Sequence, residues 1–101
     1  MFIAMNTFTI NDSRQSEFEE VWLNRDRHLQ GMKGFKNFKL LKGEANEGLR
    51  KYISHSTWES ADDFWAWTKS DAFKKAHKNK TPEGIIVGPP SFSSYDVILD
   101  E

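Results

Sequence analysis

The chain has three histidines, His28, His55 and His77, and no cysteine. Without thiolates there is no disulfide, no sulfur nucleophile, no iron–sulfur cluster and no thiolate metal site. Any metal must be held by imidazole, carboxylate, phenolate or backbone oxygen. His28 follows Arg25 and Arg27 and reads as a solvated residue near a helix end. His55 stands in mid-strand among Lys51, Ser54 and Ser56, with no second histidine or carboxylate at a ligand spacing. His77 differs. In "SDAFKKAHKN" the residues Phe73, Ala76 and His77 share one helical face, while Lys74, Lys75 and Lys78 take the other. A histidine near a helix C-terminus can simply answer the helix dipole. The inward register beside an aromatic gives it a second use, as a neutral ligand oriented through its other nitrogen.

A lone inward imidazole suits a metal that brings its remaining ligands with it, which favors heme iron over zinc. Two further residues are candidates for the surroundings of such a group. Asn6 lies in "FIAMNTF", where Phe2, Ala4, Asn6 and Phe8 share one side of an alternating strand. An amide on an apolar strand face must bond to a neighboring backbone group or look into a cavity. Trp67 lies three residues after Phe64 on a helical pattern, as a core indole or a cavity wall would. Trp22, Trp58 and Trp65 read as packing.

The elements that must position these groups follow from periodicity. Phe2 to Phe8 is a strand with apolar groups on both faces. Asn11-Asp12-Ser13, with Gln15 three after Asp12, predicts a capping box opening a helix from about Ser13 to Leu29, with Phe18, Val21, Trp22 and Leu29 as its apolar stripe. Gly31 and Gly34 end it. Phe35 to Leu41 and Tyr52 to Trp58 read as a hairpin joined by the polar turn Gly43 to Gly48. Ser60 with Asp63 marks a second helix, which Ser70-Asp71 restarts and carries to about Asn79. Ser91 to Leu99 alternates as a last strand. The order β-α-β-β-α-β predicts a ferredoxin-like α+β domain spanning residues 1–101, a four-stranded antiparallel sheet with both helices on one face. Its other face would expose apolar groups on several strands, including Ile3 and Tyr95, and two copies pressed together would cover them, so a homodimer is expected.

Composition sets the outer bounds. Fourteen Lys and Arg against fifteen Asp and Glu give a net charge of −1, which leaves no electrostatic footprint for nucleic acid. The first six residues carry no basic leader and no long apolar run, so the expectation is a cytoplasmic protein without a membrane segment. Aromatic residues make up 14 % of the chain, a surplus that must thicken a small core or cover a flat ligand.

"FIAMN", "GFKNFKLLKG", "HSTWES" and "FWAWTKSDAFKKAHKN" together resemble the Isd-type heme-degrading monooxygenases, within the antibiotic-biosynthesis-monooxygenase-like superfamily of dimeric α/β barrels. The likeness covers nearly the whole chain, and W-x-K-S-x-x-F-x-x-A-H is its most specific stretch. It implies a heme oxygenase whose heme is both cofactor and substrate, consuming O2 and electrons from an external donor such as a reductase, and releasing iron and a linear tetrapyrrole. It also implies roles. His77 becomes the axial ligand, Asn6 the amide that steers oxygen toward the porphyrin edge, and Trp67 the wall that bends the macrocycle. Phe64, Phe73 and, for a propionate, Arg25 join the heme contacts. Two other readings stand beside it: a cofactor-independent monooxygenase of polycyclic aromatic substrates, and a heme carrier without catalysis.

Overall fold

The computed structural model describes residues 1–25, 29–76 and 81–101. Strand β1 (Phe2–Asn11) is followed by a 3-10 turn (Asp12–Arg14) and helix α1 (Gln15–Leu23). Next come strands β2 (Phe35–Asn46) and β3 (Leu49–Trp58), helices α2 (Ala61–Thr68) and α3 (Asp71–Ala76), and strand β4 (Ser91–Asp96). The sheet is antiparallel in the order β2-β3-β1-β4. This is the expected ferredoxin-like α+β arrangement.

The alternation of β1 and β3 decides which side chains meet the helices. Register pairs Phe2 with Trp58, Ala4 with Ser56, Asn6 with Ser54 and Phe8 with Tyr52. Large rings therefore sit toward the two ends of this face, and small or polar groups sit in its middle. Two separate cores result. Phe2, Ala4, Leu29, Trp58, Phe64 and Trp67 pack under α2, while Ile10, Phe18, Tyr52 and Ile85 pack under α1. Trp58 and Phe18 are fully buried, one in each core. The Trp58 indole N–H donates to Ser56 Oγ at 3.0 Å, so its polar edge is satisfied within the core.

Several local expectations are corrected. The first helix ends at Leu23, not near Leu29, and the Asn24 N–H closes its last turn by donating to Glu20 O. The Asp12 capping box does not form, because the Asp12 carboxylate accepts from Arg50 Nε at 2.7 Å and the chain makes a 3-10 turn before entering the helix. The hairpin is longer and its turn tighter than predicted: Glu47 (φ 54°) and Gly48 (φ 79°) adopt adjacent left-handed conformations, as a two-residue primed turn requires. The last strand stops at Asp96. The loop after residue 80 is not passive. Its Ile85 is fully buried, Ile86 bridges Ile10, and Val87 N–H donates to Thr9 O at 2.7 Å, so the loop lines the end of β1 that the shorter β4 leaves unpaired.

A polar knot secures the α1 end. Tyr52 donates its hydroxyl to Glu19 Oε2 at 2.5 Å, and Lys42 Nζ lies 2.8 Å from the same oxygen. The Lys42 ammonium first, and the Tyr52 hydroxyl second, hold the Glu19 carboxyl below its usual range. A depressed carboxyl stabilizes the fold above the unfolded carboxylate value, roughly pH 4.3, and that contribution is lost as pH falls through the lower folded value. Glu19→Gln is therefore expected to melt below the parent protein at pH 7, with the gap in melting temperature narrowing once the pH drops under about 4. A gap independent of pH between 7 and 3 contradicts this assignment.

Gly34 has φ 79°, and a Cβ there would lie 2.2 Å from Asp63 Oδ2 and 2.6 Å from Asp63 Cβ, at the corner where Glu59 N–H donates to Gly34 O. Gly34→Ala combines left-handed strain with a clash and is expected to cost about 1–3 kcal/mol in urea unfolding.

Candidate active site

The gap between the two cores is a cavity of about 990 Å³, at the top of the roughly 300–1,000 Å³ range usual for ligand sites. Its floor is the middle of the sheet. Across it runs one row of register partners, Leu40, Ser54, Asn6 and Phe92, in which the two central groups are polar. The next row brings Phe38, Ser56, Ala4 and Ser94 together. Ser56 is engaged, accepting from the Trp58 indole and donating to Ala4 O. Asn6, Ser54, Phe64, Trp67, Phe73 and Arg25 all line this cavity.

One wall is set by helix punctuation. Ser60 Oγ accepts from Asp63 N–H at 3.2 Å and starts α2. Ser70 then does two things. Its hydroxyl donates to Trp67 O at 2.6 Å and accepts from Phe73 N–H at 3.2 Å, closing α2 and opening α3 through a single side chain. The angle between the helices is fixed, and Trp67 and Phe73 meet edge to face at 4.9 Å. Trp67 also packs on Trp58 at 5.6 Å and is 9 % exposed, so it belongs to the core and to the cavity wall together. Phe64 stacks on Phe92 of the edge strand at 5.8 Å.

The opposite wall comes from the end of α1. Trp22 stacks on Phe38 at 5.7 Å, and the Arg25 guanidinium lies 5.0 Å from the Trp22 ring center and 4.6 Å from that of Phe38. That arrangement places a delocalized cation against aromatic faces at the cavity edge. Sequence reasoning took Trp22 for packing alone and did not single out Ser54, Phe92 or Ile86, which also line the space. The alternation "YISHSTW" carried the signal for Ser54, since it shares a strand face with Tyr52 and Trp58.

The expected site residues among those described are thus brought together. His77 lies outside the described residues. His55 is on the far face of the sheet, paired in register with Met5 and Lys39 and away from the cavity. Among the described residues no group of three His, Asp or Glu is placed to hold a metal ion, and no helix is long and apolar enough to cross a membrane.

Residues 1–79 match the family model described as antibiotic biosynthesis monooxygenase. Among curated proteins the chain is 31 % identical over 99 residues to a heme-degrading monooxygenase of Halalkalibacterium halodurans, covering 97 % of this chain and 84 % of that one. It is 33 % identical over 82 residues to a staphylobilin-producing heme oxygenase of Staphylococcus haemolyticus, covering 79 % and 76 %. Among solved structures it resembles the heme-degrader MhuD of Mycobacterium tuberculosis with two hemes bound in its active site, at TM-score 0.77 and 25 % identity, covering 100 % and 99 %. It shares the fold of SnoaB, a cofactor-independent oxygenase of Streptomyces nogalater, at TM-score 0.68 and 17 % identity, covering 98 % and 94 %. The fold, the family match and the relatives agree, and the chain belongs to the antibiotic biosynthesis monooxygenase family.

Proposed function

We propose that this protein is a heme oxygenase that opens the porphyrin ring of bound heme with O2 and electrons from an external donor, releasing iron and a linear tetrapyrrole. The observation that carries the reading is a cavity of heme-accepting size between two aromatic walls, with an amide at the center of its floor. The names of the relatives support the same substrate, and the residues fit it. Flat rings on both sides suit a planar macrocycle. Burying about 400 Å² of porphyrin at roughly 25 cal/mol per Å² contributes on the order of 10 kcal/mol gross, against association costs of about 4–15 kcal/mol. Apolar walls therefore have to dominate affinity, with a charged or coordinating contact adding orientation.

In this reading His77 would hold the iron, Phe64 and Phe73 would contact the ring, and Arg25 would receive a propionate. The heme itself supplies the site at which O2 is activated once an electron arrives from a reductase. Asn6 offers the only side-chain amide on the described floor, and its N–H can hydrogen-bond an oxygen there and direct it toward the ring edge. Trp67 cannot swing away, because Trp58, Phe64 and Phe73 hold it from three sides. A rigid indole pressed against a macrocycle transmits strain to the ligand instead of absorbing it.

The working unit in this proposal is a homodimer. The sheet face away from the helices carries Ile3, Met5 and Ile53 along its center, with Leu41 40 % and Tyr95 54 % exposed. A second copy covers that surface by two-fold packing.

Hemin titration into the purified protein is expected to give a one-to-one Soret shift, followed by loss of the band when ascorbate or a reductase is added in air. The absence of a shift favors the cofactor-independent oxygenase, and a band that survives reductant favors the carrier. His77→Ala is expected to bind hemin more weakly and to lose turnover. Asn6→Ala should bind hemin within about threefold of the parent yet degrade it at least tenfold more slowly. Full turnover by either variant removes that residue from the mechanism.

A further inference from the structure

The center of the cavity floor holds a polar group that the proposed reaction has not used. Ser54 is 8 % exposed, its neighbors along the row are Leu40 and Asn6, and its helix-facing side opens into the cavity. Serine is a poor strand former, and a hydroxyl buried on a core face is unfavorable unless it is hydrogen-bonded. The strand shows what such a serine can do. Ser56, two residues on, carries the Trp58 indole and reaches Ala4 O. Ser54 makes no comparable bond to a described side chain, and the group directly across from it is Asn6.

We infer that Ser54 is a positioning residue that works with Asn6, the two holding one water molecule on the floor in the free protein and, resting on the heme reading above, the outer end of a small ligand on the iron when heme is bound. Directly opposed strand residues have Cβ atoms about 4.5–5.5 Å apart, a spacing that one water can bridge. The chemistry of the pair is complementary. The Asn6 amide has an N–H to donate, but on its own it can rotate to present either its oxygen or its nitrogen. A serine hydroxyl donates and accepts at once, so it closes the set of partners around the water and lets Asn6 keep its N–H toward the cavity.

The test loads the parent protein, Ser54→Ala, Ser54→Thr, Asn6→Ala and the Ser54→Ala/Asn6→Ala double variant with hemin and titrates each with azide. Ser54→Ala is expected to bind hemin within about twofold of the parent and azide about three- to tenfold more weakly, the loss of one hydrogen bond. Ser54→Thr recovers the azide affinity. The two single losses should be larger together than the loss in the double variant, because both residues act on one bound group. Azide binding unchanged in Ser54→Ala, or losses that simply add, overturns the inference. If the parent takes up no hemin the heme reading falls by itself, and a crystal structure of the unliganded protein still decides the floor. A water within hydrogen-bond distance of both Ser54 Oγ and Asn6 Nδ2 sustains the pairing, and its absence ends it.

Discussion

Everything in this structure depends on the sheet being unable to build one continuous core on its helix-facing side. The positions that meet the helices run Phe2, Ala4, Asn6, Phe8, Ile10 on β1 and Trp58, Ser56, Ser54, Tyr52 on β3. Close packing requires side chains long enough to reach the layer above. Alanine, asparagine and two serines are not, and the helices cannot descend to them because Trp58 at one end and the Tyr52–Phe18 pair at the other hold them up. The cavity is the space those spacers define. The site exists because four short residues stand between bulky ones.

That construction also explains the rigidity of the walls. A ligand site built only from loops must be ordered at the moment of binding, which costs affinity. Here the wall residues are already committed: Trp67 contacts Trp58, Phe64 and Phe73, and Trp22 contacts Phe8, Phe18 and Phe38. The same aromatic contacts that hold the two cores together fix the shape of the opening between them, so preorganization needs no separate scaffold. Ser70 is a small part of the device, yet its one hydroxyl ends α2 and starts α3.

Much of this was legible in the sequence. Alternation gave the strands, Ser60 and Ser70 gave the helix starts, and Asn6 on its apolar strand face left a backbone partner or a cavity as the two alternatives. The failures have physical causes. Asp12 looked like a cap, but Arg50, thirty-eight residues away, claims its carboxylate. Leu29 fits the helical stripe, yet it enters the α2-side core from a turn after the helix has ended, because burial rewards the side chain whatever backbone delivers it. Ile85 sat in a loop rich in proline and glycine, and nothing local predicts that such a loop will lie along β1. Ser54 was not singled out, because its significance appears only when β3 is set against β1 and the residue opposite proves to be Asn6.

The register of β1 is pinned from both sides. Its even-numbered residues form the cavity floor, and its odd-numbered residues, Ile3 and Met5 among them, form the apolar face proposed for the partner copy. A slip of one residue would put Asn6 into that apolar face and Met5 into the floor, exchanging every side chain at once. Neither face alone excludes a two-residue slip, which keeps the alternation. Moving β1 by two would place Phe8 or Ala4 opposite Ser54, where Asn6 now stands. The bulky pair Phe2 and Trp58 would also lose each other, and the α2-side core with them. Site geometry and fold register are in this way a single constraint: the arrangement that gives the best-packed ends is the one that leaves Asn6 beside Ser54 in the open middle.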